Sequence, residues 1–164
     1  MRVNTDYPYS FSIEEKLNRE YKFTSNISNW IKSNLESLTD DEENYLFNKV
    51  NLGYHEESLK TFGGHSVCDV HLGRIEYDET LVDRTPLKAH SVLVFYFKGS
   101  NDAAYLKCCD VHDYLMQEFI TNTNFRELED IVSDTYILDS ELMSQPSNKK
   151  WGAMGAFELV HILI

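Results

Sequence analysis

Apolar and polar positions are ordered most clearly from residue 90 onward, where they spell strand, helix, strand, strand. Residues 90–98 contain a Val-Leu-Val-Phe-Tyr-Phe run closed by Gly99 and Ser100. The run is too short, and too rich in β-branched and aromatic side chains, for a helix, and it predicts a strand buried on both faces. Over 102–121 the period becomes helical: Ala104, Cys108, Val111, Leu115 and Phe119 are spaced by four, three, four and four. Asp102, Asp110, Asp113 and Gln117 fall on other faces. Ser100 or Asn101 can cap this helix, and Asp102 suits the positive end of its dipole. Residues 131–143 and 153–164 read as two strands joined by the polar segment 144–150, so the pattern closes on a hairpin.

The first half is less regular. Residues 1–12, with Tyr7, Pro8, Tyr9 and Phe11, read as an extended arm whose aromatics dock on a neighbour or on the protein's own body. A short helix is expected over 13–21. A better one runs over 27–38, capped by Ser25 or Asn26, with Ile27, Trp30, Ile31, Leu35 and Leu38 turned toward a sheet. Residues 39–43 form an acidic loop. Residues 45–52 could be a strand or a helix end, and their alternation favours a strand ended by Gly53. Gly63-Gly64 opens a strand over 65–72 that continues as 74–78, with Gly73 a candidate bulge. The expected fold is α+β: a mainly antiparallel sheet of four to five strands packed on two or more helices, in the order α, β, β, β, α, β, β. Residues 1–26 form an extension, and 27–164 one domain.

Composition changes this picture little. At 164 residues, 42% hydrophobic and 13% aromatic, the chain can build one real core. No apolar run approaches the about 20 residues that span a bilayer. The N-terminal residues lack the apolar stretch of a signal peptide, so a protein made and kept in the cytoplasm is expected. Three cysteines make no disulfide framework, and free thiols are expected. Charge says more: 27 acidic against 15 basic residues give a formal net charge of −12. Counterion release cannot drive nucleic-acid binding by such a surface, and Lys149-Lys150 is its largest basic block. The acidic surface keeps the protein in solution, keeps it from sticking to DNA, or imitates DNA.

Four constellations could carry chemistry. Cys68-Asp69-Val70-His71 and Cys109-Asp110-Val111-His112 together offer the four soft ligands of a structural zinc site. Cys109 and His112 share a helix face, but Cys68 and His71 on a strand point to opposite sides. Asp110 and Asp113 mark the polar side of the helix, which makes His112 a surface residue. Cys108 and Cys109 lie away from the helix N-terminus that would activate a thiol, so both read as inert. Asp40-Asp41-Glu42-Glu43 matches no calcium loop, and the glycines at 63–64 and 152–155 match no phosphate loop; they are turn and strand glycines. No catalytic residue, cofactor or metal is expected.

The order of a helix, a strand meander, the strand 90–98, the helix 102–121 and a late hairpin resembles the tail terminator family of tailed phages and related viruses, also called tail-completion or tail-to-head joining proteins. The resemblance spans roughly 27–164. It implies a virion structural protein of the tail or neck, made in the host cytoplasm, that assembles into a hexameric ring. That ring caps the tail-tube protein, meets the head connector and lets DNA pass. It also implies no enzymatic activity. The extension before residue 27 and the loop 78–88 depart from the family pattern. Candidate interface residues are Tyr7, Tyr9 and Phe11 of the arm, Arg84 in the loop 78–87, and Lys149, Lys150 and Trp151 between the last strands. Two alternatives stay open: an acidic DNA mimic that inhibits a nucleic-acid enzyme, and a small zinc-binding or cytoplasmic enzyme domain using groups such as His65, Asp69, His71 and His90.

Overall fold

The computed structural model describes residues 23–53, 66–80, 85–98, 101–144 and 153–164. In chain order these contain α1 (Phe23–Ser37), β1 (Lys49–Leu52), β2 (Ser66–Tyr77), β3 (Pro86–Phe97), α2 (Asn101–Thr121), α3 (Thr123–Arg126), β4 (Val132–Ser144) and β5 (Ala153–Leu163). The architecture is α+β, with the strands in one five-stranded sheet ordered β1-β2-β3-β5-β4. All neighbours are antiparallel except β1 and β2. The first strands are therefore not a meander throughout. A parallel pair needs a crossover of about a dozen residues or more, and 53–65 supplies that length. At the other side β3, α2 and β4 form a split β-α-β unit, with β5 filling the gap between its strands.

Both long helices cover one face. Ile27, Ile31 and Leu35 of α1 and Ala104, Cys108, Val111, Leu115 and Phe119 of α2 join Cys68, Val70, Leu93, Phe95, Phe97, Phe157 and Leu159 in a single core. The apolar spacing of 27–38 and 102–121 thus positions the helices as expected. Because side chains alternate along a strand, Val67, Asp69, His90, Tyr96 and Val160 stand on the other face, and these too are buried. That two-sided burial explains the nearly continuous apolar run in β3.

Boundaries differ from the sequence reading in physical ways. Helix α1 already runs at Phe23, so Ser25 and Asn26 lie within its turns and do not cap it, and the expected domain limit at 26–27 falls inside the helix. β1 is only four residues long, because Leu46 N–H turns back to Leu38 O at 3.1 Å and Tyr45 bridges Thr39. The acidic loop is an Asx turn: Asp40 Oδ1 accepts from the Glu42 and Asn44 backbone N–H groups, both at 2.9 Å. These bonds, led by the one from Asn44, hold the Asp40 carboxyl below its usual range. β3 begins at Pro86, which takes residues 86–88 from the expected loop. The short α3 was not foreseen; Asn122 caps it by accepting from Asn124 N–H at 3.0 Å. The expected arm over 1–12 and helix over 13–21 lie outside the described residues.

The first of two irregularities was expected from the sequence. The β2–β3 register slips between Leu72 and Arg74, which makes Gly73 the bulge. Edge strand β4 slips twice against β5, at Ser133 and at Leu138, and such bulges interrupt the flat edge that another strand could join.

Gly155 has a packing duty. A Cβ there would land on the ring of Phe95, and that ring is fully buried among Phe47, Phe97 and Phe157 with centroids 6.0 to 6.2 Å away. Gly155→Ala should lose about 1 to 3 kcal/mol by overpacking. Urea unfolding measures this, and Phe95→Leu should remove most of the penalty in a double-mutant cycle. Equal cost in both backgrounds would refute the clash.

Candidate functional site

Among the polar side chains that the fold buries, two histidine-centred groups stand out, one on each face of the sheet. On the helix side, Ser91 of β3, His161 of β5 and Thr135 of β4 meet across three neighbouring strands. Ser91 Oγ lies 2.7 Å from His161 Nε2, and Thr135 Oγ1 lies 2.9 Å from Nδ1. Thr135 donates to Arg126 O at 3.0 Å, so its oxygen is left to accept from His161 Nδ1–H. The lone pair of Nε2 then accepts from Ser91 O–H, and every donor and acceptor of the ring is used. Trp30 of α1 closes the group edge-on at 5.6 Å from His161, and its Nε1–H donates to Asn124 O at 2.8 Å.

A serine within 2.7 Å of an imidazole has the spacing of a nucleophile and its base. Burial decides otherwise, since Ser91 and His161 are 0% exposed and Thr135 is 3% exposed. No carbonyl substrate reaches Ser91 Oγ in this arrangement. The triad bolts β3, β5 and β4 to α1 and α3. Burial, followed by the nearby His90, pushes His161 down to about 3, so the ring is neutral in ordinary buffers.

The second group lies on the opposite face. His90, 2% exposed, sits between two carboxylates: Nε2 is 2.7 Å from Glu76 Oε2 and Nδ1 is 3.1 Å from Glu158 Oε1. Both ring nitrogens are thereby engaged, each by one glutamate. The hydrogen bond from His90 is the main cause that holds Glu76 below the usual carboxylate range, aided by the charges of Arg74 and Lys88. The two glutamates approach different ring nitrogens, on different sides of the ring. They clamp β2, β3 and β5 and do not converge on one point where an ion could sit.

The four zinc candidates are not brought together. Cys68 points into the core beneath the helices and His71 to the other face, as the strand period requires. His112 is the correction: it is 7% exposed, and its ring stacks on Phe157 at 4.7 Å and 15°. It follows Cys108 by four residues, so it extends the buried stripe despite its acidic neighbours Asp110 and Asp113. Cys109 is half-buried on the flank of α2. Burial pushes the Cys68 thiol far up and Cys108 up to about 12, so both are inert thiols. Among the described residues, no three or more His, Cys, Asp or Glu are arranged to hold a metal ion.

The candidate enzyme groups do not converge either. Asp69 is fully buried and accepts from Asn51 Nδ2 at 2.9 Å, which ties β2 to β1. His90 is engaged by its glutamates. His71 borders an open hollow of about 360 Å³ with Thr24, Ser25, Ser28 and Leu52, and its Nδ1 is buried with no hydrogen-bond partner among the described residues. His65 and the interface candidates Tyr7, Tyr9, Phe11, Arg84, Lys149, Lys150 and Trp151 lie outside the described residues.

Sequence reasoning missed the Ser91, Thr135 and His161 bolt. One signal was present: Ser91 and His161 occupy the same alternating positions as Leu93 and Phe95, and as Phe157 and Leu159, so each is a polar residue on a core-facing row. Among the described residues, no helix is long and apolar enough to cross a membrane. No protein-family model matches the chain, and no curated protein matches it.

Proposed function

We propose that this chain is the subunit of a tail terminator of a tailed phage or related virus. Its ring ends the tail tube, joins it to the head connector and lets DNA through. The observation that carries the reading is the order of elements: helix, three strands, long helix, closing hairpin, all in one sheet with both long helices on the same face. The order matches the one the resemblance was drawn from, while the parallel β1–β2 pair departs from its strand meander. The charge supports it as well. A surface with a net charge of −12 repels a phosphate backbone and gives passing DNA no place to bind. The polar groups also suit a structural subunit, because Ser91, His161 and His90 are spent on holding strands together. The protein then belongs to the virion, at the tail or neck.

Adding the purified protein to polymerising tail-tube subunits tests this directly. Electron microscopy should show short tubes of defined length, each ended by a ring. Tubes that grow as long as they do without the protein would sink the reading.

A further inference from the structure

The two edges of the sheet differ in shape and in charge, and they match each other. β1 pairs with β2 only as far as Val70, so among the described residues no strand flanks β2 beyond that point. A hollow of about 360 Å³ opens there, lined on the sheet by Leu52, Val70, His71 and Leu72 and on α1 by Thr24 and Ser28. On the opposite edge Leu138 is the extra residue of the second β4 bulge, and it is 49% exposed. The ladders set these two features level. Leu72 is joined across the sheet to Ile137 through Ser91 and Leu159, and His71 to Asp139 through Val92 and Glu158. Leu138 therefore stands at the height of the hollow.

Charge matches at the same heights. Lys49 of β1 and Arg74 of β2 are exposed on either side of the hollow, on the sheet face away from the helices, where the registers join Lys49 to Val67 and Arg74 to His90. Followed across the sheet, Lys49 is level with Met143 and Arg74 with Tyr136. Asp139 and Glu141 of β4 lie between those levels on the same face, with Asp139 directly opposite Glu158. β4 itself contains no Lys or Arg. Asp134 near its start is engaged by Arg126 at 2.9 Å, and Glu158 by His90 at 3.1 Å, which leaves Asp139 and Glu141 without an ion pair among the described residues. Copies of a chain with a net charge of −12 repel each other, so contact between them needs a local match of this kind.

We propose that the β4 edge of one copy docks on the β1–β2 edge of a second copy. Leu138 enters the hollow, while Lys49 and Arg74 bracket Asp139 and Glu141. The bulges of β4 keep the two edges from pairing as strands, so side chains make the contact. The edges are different surfaces at opposite ends of one sheet, so the contact is heterologous and repeats head to tail. Because the matched groups are level, successive copies are related by a turn around an axis along the strands with no step, and such a series closes into a ring. The inference rests on the ring reading given above and names the contact between its subunits.

Light scattering on the full chain at micromolar concentration tests it. The wild type should have a mass above twice 19.1 kDa. Leu138→Glu should reduce it to that of one chain, because an unpaired carboxylate is costly to bury in the hollow. Lys49→Glu/Arg74→Glu and Asp139→Lys/Glu141→Lys should each do the same while keeping the circular dichroism spectrum of the wild type. The second of these makes the chain less negative overall, so its loss of assembly separates a specific contact from general repulsion. Mixing the two double variants should restore assembly. A wild type that stays monomeric, variants that still assemble, or a mixture that does not assemble would each overturn the contact. Tube capping separates this outcome from the function: a monomer that caps tubes removes the contact alone, and an assembly that ignores tubes removes the proposed function alone.

Discussion

Phe157→Ala is expected to lose about 3 to 5 kcal/mol, the range for removing a large aromatic from a closed core. Phe157 is 1% exposed and lies where β3, β5 and α2 converge. Phe95 of β3 stacks on it at 6.0 Å, Phe119 of α2 meets it edge-on at 5.5 Å, and His112 of α2 stacks at 4.7 Å. Its neighbours cannot collapse into the space, since Phe95 is pinned over Gly155 and Phe119 is held by Phe125 at 5.3 Å. Removing the ring would leave His112 facing a void with its apolar support gone. Chemical denaturation gives the loss directly, and Phe157→Leu, which keeps most of the volume, should recover more than half of it. A loss below 1 kcal/mol, the scale of one CH₂ group at about 0.8 kcal/mol, would mean that this aromatic cluster is not the centre of the core.

Acid should expose the second large effect. His161 binds a proton near 6.5 when unfolded and only near 3 when folded. Between those values the unfolded chain holds one more proton, so stability rises with pH and is lost as pH falls below about 6.5. The slope approaches about 1.4 kcal/mol per pH unit, which amounts to about 3 kcal/mol between pH 7 and pH 4. Glu76 acts in a lower window. Its folded value is depressed, so its contribution is present above 4.5 and is lost as pH falls below that. Urea unfolding of the wild type and of His161→Gln across this range separates the two. The difference between the proteins should shrink steadily from pH 7 to pH 5, where the glutamate is still charged. A difference independent of pH would show that His161 is accessible to protons in the folded state.

Much of this fold was legible in the sequence because period and burial coincide. Ile27, Ile31 and Leu35, and Ala104 through Phe119, are spaced as helices require, and every one of them is buried. The Gly73 bulge and the closing hairpin were legible for a similar reason: a glycine in a strand and a polar segment between apolar runs have few other uses. Three features were hidden. The parallel pairing of β1 and β2 depends on the path of a connection whose sequence carries no direction. His112 was misplaced because its neighbours in sequence are acidic, whereas a helix brings residue 108 beside residue 112. The Ser91, Thr135 and His161 bolt joins residues 26 and 70 positions apart, and no local pattern marks such a partnership. The interface candidates rest on composition alone, since exposure has no periodic signature.

The place of β5 bears on how the protein is made. This strand comes late in the chain but lies inside the sheet, between β3 and β4. While the ribosome is still adding residues 153–163, β3 and β4 have no partner on their facing edges, and Phe157, Leu159 and His161 are absent from the core. The half-made protein is therefore two pieces with open strand edges, and they join only when the middle arrives. Folding that waits for distant segments is slow, and it leaves the nascent chain open to wrong pairings until β5 has been made.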